Sequence, residues 1–245
     1  MKDTLRQNQE RLAERIAEVS RAADRSPSDL CVVAITKYVQ PETALALASL
    51  GQRDLGENRP DSLEAKADAF RAAGEPVRWH FVGHLQRNKA RRVVKIADVI
   101  HSVDTTQLIR TLDRIASEED RELQVFLEVR LTEEKTKHGF MQHELQDALA
   151  ALAQAPRLEP LGVMGMSPAG GTPESAITAF TRLRKLADEL EASAESRDLF
   201  RGGRVRTSMG MSGDFPQAIT AGSDYLRIGS SFFEGLSKEP GEVPA

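Results

Sequence analysis

The sequence predicts a single α/β domain in which eight parallel strands, separated by helices, close into a (β/α)8 barrel. Short apolar runs alternate with longer helical patterns eight times along the chain. Strands separated by helices are normally parallel, because a parallel crossover needs a dozen or more residues. A length of 245 residues is typical of an undivided α/β barrel, and 40% hydrophobic residues suffice for one sizeable core. We therefore expect residues 1–245 to form one domain.

An extra N-terminal helix is predicted ahead of the first strand. Leu5, Leu12 and Ile16 lie on one stripe of residues 3–24 among charged and polar side chains, which is the pattern of an amphipathic helix. The first strand is predicted at residues 30–35, where six apolar residues follow one another and three of them are β-branched. Such a run is typical of a strand that is buried on both faces.

The same alternation continues to the end of the chain. The later strands are predicted at 52–58, 77–83, 99–104, 123–131, 161–166, 205–209 and 225–229. The helices between them are predicted at 41–50, 60–73, 85–96, 106–117, 142–153, 173–192 and 215–221. Turn chemistry supports these boundaries: Pro41 stands near the start of a predicted helix and Gly51 just past its end.

The residues that follow each predicted strand are the first candidates for a functional site, because barrels of this kind form their sites at the C-terminal ends of the strands. Lys37 comes two residues after the first strand. A lysine at the mouth of a buried sheet is partly desolvated, which lowers its pKa and lets the neutral amine attack an aldehyde to form a Schiff base. The alternative is that Lys37 begins the next loop and points into water.

Two loops resemble phosphate-binding segments. Residues 208–214 follow the seventh strand, and residues 227–231 follow the eighth. Small residues let backbone N–H groups approach an anion, and barrels often hold a phosphate after these two strands. The alternatives are that the glycines and serines only make turns and that Asp214 caps the next helix. A Schiff-base lysine opposite a phosphate site fits either pyridoxal 5′-phosphate (PLP) or a phosphorylated sugar in a lysine-dependent aldolase.

Composition limits the other functions. The net charge of −4 gives no reason to expect nucleic acid or an acidic membrane surface as a partner. The basic cluster Arg87–Lys95 is interpreted as a solvated helix face, with an anion or partner site as the alternative. The single cysteine, Cys31, allows no intrachain disulfide. No apolar run approaches 18 residues and no secretory signal is evident. We expect a cytoplasmic monomer.

Several motifs follow the order and spacing of one family. They are residues 34–37 (AITK), 56–58 (GEN), 79–89 (WHFVGHLQRNK), 137–140 (KHGF), 162–166 (GVMGM), 208–212 (SMGMS) and 225–229 (YLRIG). From about residue 5 to residue 233 the chain resembles the pyridoxal phosphate homeostasis family of PLP-binding proteins, the YggS/PROSC type. The resemblance implies a fold-type III PLP protein: a TIM barrel like the N-terminal domain of alanine racemase, without the second, β-rich domain of that enzyme.

The resemblance also implies a set of cofactor contacts. Lys37 would form the internal aldimine with PLP, and Arg227 would face the pyridine nitrogen and keep it unprotonated. The phosphate would be held by Ser208, Gly229 and Ser230. Asn58, Met209 and His80 would line the ring pocket. We predict no metal site and no catalytic residue.

The resemblance implies PLP homeostasis, in which the chain holds PLP and supplies it to apo-enzymes. After Gly229 we count only 16 residues, too few for the domain that lends racemases of this fold their second acid/base. Tyr38, predicted in a loop, and Tyr225, predicted in the core, offer no obvious replacement. The alternatives are a racemase-like PLP enzyme of low activity and a lysine Schiff-base aldolase.

Overall fold

Eight parallel strands close into a barrel in sequence order, and the last strand pairs with the first. The computed structural model describes residues 1–131 and 138–236. The strands are β1 (Cys31–Ile35), β2 (Asp54–Glu57), β3 (Arg78–Phe81), β4 (Val99–Val103), β5 (Leu123–Glu128), β6 (Leu158–Met164), β7 (Arg206–Ser208) and β8 (Tyr225–Ile228). The predicted barrel is confirmed, and several strands are shorter than the sequence predicts.

Helices cover the outside of the barrel. They are α1 (Lys2–Ala22), α2 (Pro41–Ala48), α3 (Pro60–Ala73), α4 (Ala90–Val94), α5 (Thr106–Glu118), α6 (Leu145–Leu152), α7 (Pro173–Ala192), α8 (Ala194–Arg197) and α9 (Phe215–Thr220). The extra N-terminal helix is therefore confirmed. It packs against α2 and α9, and the Asn8 side chain donates to the carbonyls of Phe232 and Glu234 at 2.9 Å each, which holds the segment after β8. None of the described helices is both long and apolar enough to cross a bilayer.

The helix predicted at 85–96 is wrong in its first part. Only Ala90–Val94 is α-helical, after a single 3₁₀ turn at Arg87–Lys89. Gly83 passes so close to Asn58 that a Cβ there would lie 2.1 Å from the Asn58 carbonyl oxygen. The chain is still extended at Gln86. In the basic cluster that follows, Arg91 pairs with Glu118, the last residue of α5, and with Glu119 directly after it.

The core has two layers, because side chains alternate along each strand. Residues that face outward pack under the helices, such as Ala34, Leu226 and Ile228. Residues that face inward form a small apolar cluster: Val33, Ile35, Val99, Phe126, Leu161, Met164 and Tyr225. The barrel interior also holds buried polar side chains, and these form the base of the site described next.

Candidate cofactor-binding site

Lys37 lies at the C-terminal mouth of the barrel, two residues beyond β1. Its side chain is half-buried, and Nζ lies 4.5 Å from the centroid of the neighbouring Tyr38 ring. The preceding residue, Thr36, is fully buried and its N–H donates to the Gly56 carbonyl at 2.9 Å, so the backbone before Lys37 is fixed to β2. This placement agrees with the prediction from the sequence that Lys37 lies at the mouth of the barrel.

A buried ion pair supports this backbone from behind. Lys66 on α3 donates to Glu57 Oε1 at 2.7 Å and to the Thr36 carbonyl at 3.0 Å, and both charged side chains are almost fully buried. Ser62 donates to the other oxygen of Glu57 at 2.7 Å. Sequence reasoning missed Lys66. The sequence does contain a signal for it: Lys66 lies on the same helical stripe of α3 as Leu63 and Phe70. A charged residue on a buried face needs a charged partner.

Arg227 lies on β8, next to β1, and its side chain is directed into the barrel. It is buried, and its guanidinium donates to Ser208 Oγ at 2.7 Å and to the Gly165 carbonyl at 3.1 Å. Burial lowers the pKa of Arg227 to about 10, while the charges of Glu128 and Asp214 act in the opposite direction. Arg227 is therefore still a cation at neutral pH, held at a fixed position.

A line of hydrogen bonds runs through the barrel interior from Arg227 to Asp54 at the start of β2. Arg227 donates to Ser208 Oγ, and this oxygen contacts His101 Nδ1 at 2.8 Å. The line continues from His101 Nε2 to His80 Nδ1 at 2.9 Å, and from His80 Nε2 to Asp54 Oδ1 at 2.8 Å. We call these five residues the interior polar line. Both histidines and Ser208 have no exposed surface.

The donor in each bond of the interior polar line can be deduced. Arg227 can only donate and the ionised carboxylate of Asp54 can only accept. Burial lowers the pKa of His80 and lowers that of His101 well below its usual value, so both imidazoles are neutral at pH 7. One arrangement then satisfies every group: each imidazole carries its proton on Nε2, and the Ser208 hydroxyl donates to His101. The Ser208 hydroxyl proton is therefore used in the hydrogen bond to His101 inside the barrel.

The loops after β7 and β8 bring two backbone amides to one oxygen atom. The N–H groups of Gly229 and Ser231 both donate to Ser212 Oγ, at 3.2 and 3.4 Å. Two converging amides suit a phosphate oxygen equally well, so the residues present fit a phosphorylated ligand. A Cβ on Gly229 would still lie 3.5 Å from the nearest atom, the Ile35 carbonyl oxygen. Space therefore remains beside this cradle.

The remaining site predictions fall in different places. Ser230 is exposed next to the cradle, and Asn58 is half-buried at the end of β2. Met209 is fully buried in the outer, helix-facing core. His80 and Ser208 lie in the interior polar line, below the mouth. Direct contact with a cofactor stays a prediction for these residues, and the burial of Met209, His80 and Ser208 does not favour it.

The loop after β7 differs from its predicted role in one detail. Asp214 occupies the N-cap position of α9, but its carboxylate makes no capping bond to that helix. It accepts instead from the Met211 N–H at 2.6 Å and from Ser167 Oγ at 2.6 Å. The carboxylate therefore ties the loop after β7 to the loop after β6. Ser167 is a contact that sequence reasoning did not single out.

Carboxylates and histidines occupy the opposite part of the mouth. Glu128, the last residue of β5, is buried, and burial together with the nearby charge of Asp104 raises its pKa to about 7. Asp104 follows β4 and contacts His84 and His138. Of the KHGF motif, Lys137 lies outside the described residues.

Known proteins resemble this chain over most of its length. Residues 7–236 match the family model of the alanine racemase N-terminal domain. The chain is 35% identical over 207 residues to a pyridoxal phosphate homeostasis protein of Synechocystis sp., covering 84% of this chain and 92% of the relative. The homologue from Escherichia coli is 31% identical over 234 residues, covering 92% of this chain and 94% of the relative.

A solved structure shows the same relationship. PipY of Synechococcus elongatus, determined with PLP bound, superposes with a TM-score of 0.77 at 32% identity, covering 89% of this chain and 99% of that one. An alanine racemase of Clostridium difficile, at 14% identity and a TM-score of 0.66, shares the fold: 99% of this chain covers only 58% of the racemase. By sequence and by fold, this chain belongs to the pyridoxal phosphate homeostasis family, whose barrel is that of the alanine racemase N-terminal domain.

Proposed function

We propose that this chain binds PLP covalently through Lys37 and supplies it to apo-enzymes in the cytoplasm, acting as a monomer. The observation that carries the proposal is the adjacency of β1 and β8, where Val33 pairs with Arg227. Lys37, Arg227 and the Gly229–Ser231 amides therefore lie at one sector of the mouth. PLP supplies an aldehyde that condenses with a primary amine, a pyridine ring and a phosphate dianion.

Each group of the site has a chemical counterpart in PLP. The Lys37 amine meets the aldehyde, and the two converging amides with the Ser230 hydroxyl meet the phosphate. Arg227 meets the pyridine nitrogen. The Arg227 cation would repel a protonated pyridine nitrogen. Arg227 therefore keeps this nitrogen unprotonated, which weakens the ring as an electron sink. The arrangement supports storage of the cofactor better than chemistry on an amino acid.

A low racemase-like activity is the second candidate, and one observation favours it. A carboxyl with a pKa of about 7 is tuned for proton transfer, and Glu128 at the mouth has this property. The sugar aldolase has no such support, because the relatives are PLP proteins by name. Assay of racemisation for common amino acids, with Glu128→Gln as the variant, separates storage from catalysis.

The storage function is tested by transfer of the cofactor. The PLP-loaded protein is mixed with an apo-enzyme that requires PLP, and recovery of the enzyme's activity is followed with time. We expect recovery that depends on the loaded protein and is lost in Lys37→Ala, while Lys89→Ala, which removes an exposed lysine, behaves as the wild type. If Lys37→Ala restores the enzyme as well as the wild type does, the proposal is wrong.

A further inference from the structure

The structure points to a divalent metal site at the mouth of the barrel, and we propose that His84, Asp104 and His138 bind Zn²⁺ or a cation of similar preference. The three residues follow three consecutive strands, β3, β4 and β5. Their ligand atoms all lie within 4.8 Å of one another. The proposed PLP contacts belong to other strands: Lys37 follows β1 and Arg227 lies on β8.

The distances suit one ion. Nδ1 of His84 lies 3.0 Å from Asp104 Oδ2, and Nδ1 of His138 lies 3.6 Å from the same oxygen. Ligands at about 2.0–2.1 Å from a tetrahedral ion stand about 3.3 Å from one another, so the two distances bracket the required value. The imidazole rings are stacked, with centroids 3.6 Å apart and planes inclined by 13°. In both rings it is Nδ1 that contacts Asp104 Oδ2.

The electrostatic setting favours a cation. The Asp104 side chain is only 5% exposed, and its Oδ2 contacts both histidines. An ion would take the place of the hydrogen bond that now joins His84 Nδ1 to Asp104 Oδ2, with the imidazole proton then on Nε2.

The ligand types select the kind of metal. Imidazole nitrogen suits Zn²⁺ and its neighbours in the first transition row, whereas Mg²⁺ prefers oxygen ligands alone. Three protein ligands leave at least one position on a tetrahedral ion for water or another small ligand. The half-exposed rings of His84 and His138 leave this position open to solvent.

The test is calorimetric titration of ZnCl₂ into the full-length protein, purified without an affinity tag and dialysed first against a chelator. We expect one Zn²⁺ per chain with a Kd below about 100 µM, and no comparable heat with MgCl₂. His84→Ala and His138→Ala should each weaken binding by about 100-fold. This is the upper end of the effect of losing a residue that only supports a metal ligand, and a direct ligand should matter at least as much. Both residues are exposed, so neither change should unfold the barrel.

Two control variants make the result specific. His143→Ala removes an exposed histidine outside the cluster, and Cys31→Ser removes the only thiol. Both should bind Zn²⁺ like the wild type. The proposal is overturned if the wild type shows no Zn²⁺ binding in this range, if His84→Ala and His138→Ala bind as tightly as the wild type, or if either control loses binding to the same extent. Retained PLP absorbance in the histidine variants shows that the two sites are independent.

Discussion

Ser208→Ala tests whether the interior polar line is an energetic unit. The hydroxyl accepts from Arg227 and donates to His101, and all three side chains are buried. Its removal leaves one guanidinium N–H and one imidazole nitrogen without a partner. An unsatisfied buried group costs about 1–3 kcal/mol, so for two groups we expect the free energy of unfolding to fall by about 2–6 kcal/mol. Against a total of about 5–15 kcal/mol for a domain, this is a large effect.

The assay is urea unfolding at pH 7, compared with Ser223→Ala. Ser223 is equally buried, but its hydroxyl donates to the carbonyls of Met209 and Tyr225, outside the line, so its loss should cost only about 1 kcal/mol. Arg227 also loses the Ser208 acceptor and keeps the Gly165 carbonyl, so PLP should bind more weakly. If Ser208→Ala costs no more stability than Ser223→Ala while PLP affinity falls, Ser208 contacts the phosphate directly and the reasoning is refuted.

Three further predictions concern single residues. Lys66→Met should lower the free energy of unfolding by about 3–5 kcal/mol, because it strands the buried Glu57 carboxylate; a loss below 1 kcal/mol in urea unfolding would contradict this. Glu128 has its pKa raised to about 7 in the folded protein, so its contribution to stability is full below about pH 4.5 and is lost as the pH rises to 7. Glu128→Gln should therefore gain about 1–3 kcal/mol over the wild type at pH 8 and little at pH 4.5; an equal difference at both values would show that the carboxyl is not perturbed. A Cβ at position 229 has room, so Gly229→Val should change Tm little. The larger side chain would fill the space beside the amide cradle, so dialysis should show loss of PLP. Equal losses of PLP binding and of Tm would argue against the cradle.

The order of strands and helices could be predicted because each apolar run is flanked by polar turn residues. The late start of α4 could not, since the chain is still extended at Gln86 and then forms a 3₁₀ turn at Arg87–Lys89, which the apolar pattern does not distinguish from an α-helix. Lys37 and Arg227 could be named in advance because each stands at or near the end of an apolar run. Strand adjacency then places them in one sector.

The interior polar line could not be predicted in the same way. His80 and His101 belong to apolar strands, and their hydrogen bonds join residues 21 to 107 positions apart in the chain. Only the register of the closed barrel brings them to hydrogen-bond distance. The family resemblance implies that His80 and Ser208 contact the cofactor, and this stays a prediction; the structure shows both residues in the interior polar line that leads to Arg227.

The central claim is that Lys37 is the point of attachment for PLP. The most direct measurement is reduction of the PLP-loaded protein with borohydride, followed by proteolysis and mass spectrometry. Reduction makes the bond between an amine and the cofactor permanent, so the modified lysine is identified by its mass. We predict one reduced pyridoxyl phosphate group per chain, on the peptide that contains Lys37. A group found on another lysine, or no modification of a protein that visibly carries PLP, would contradict the account.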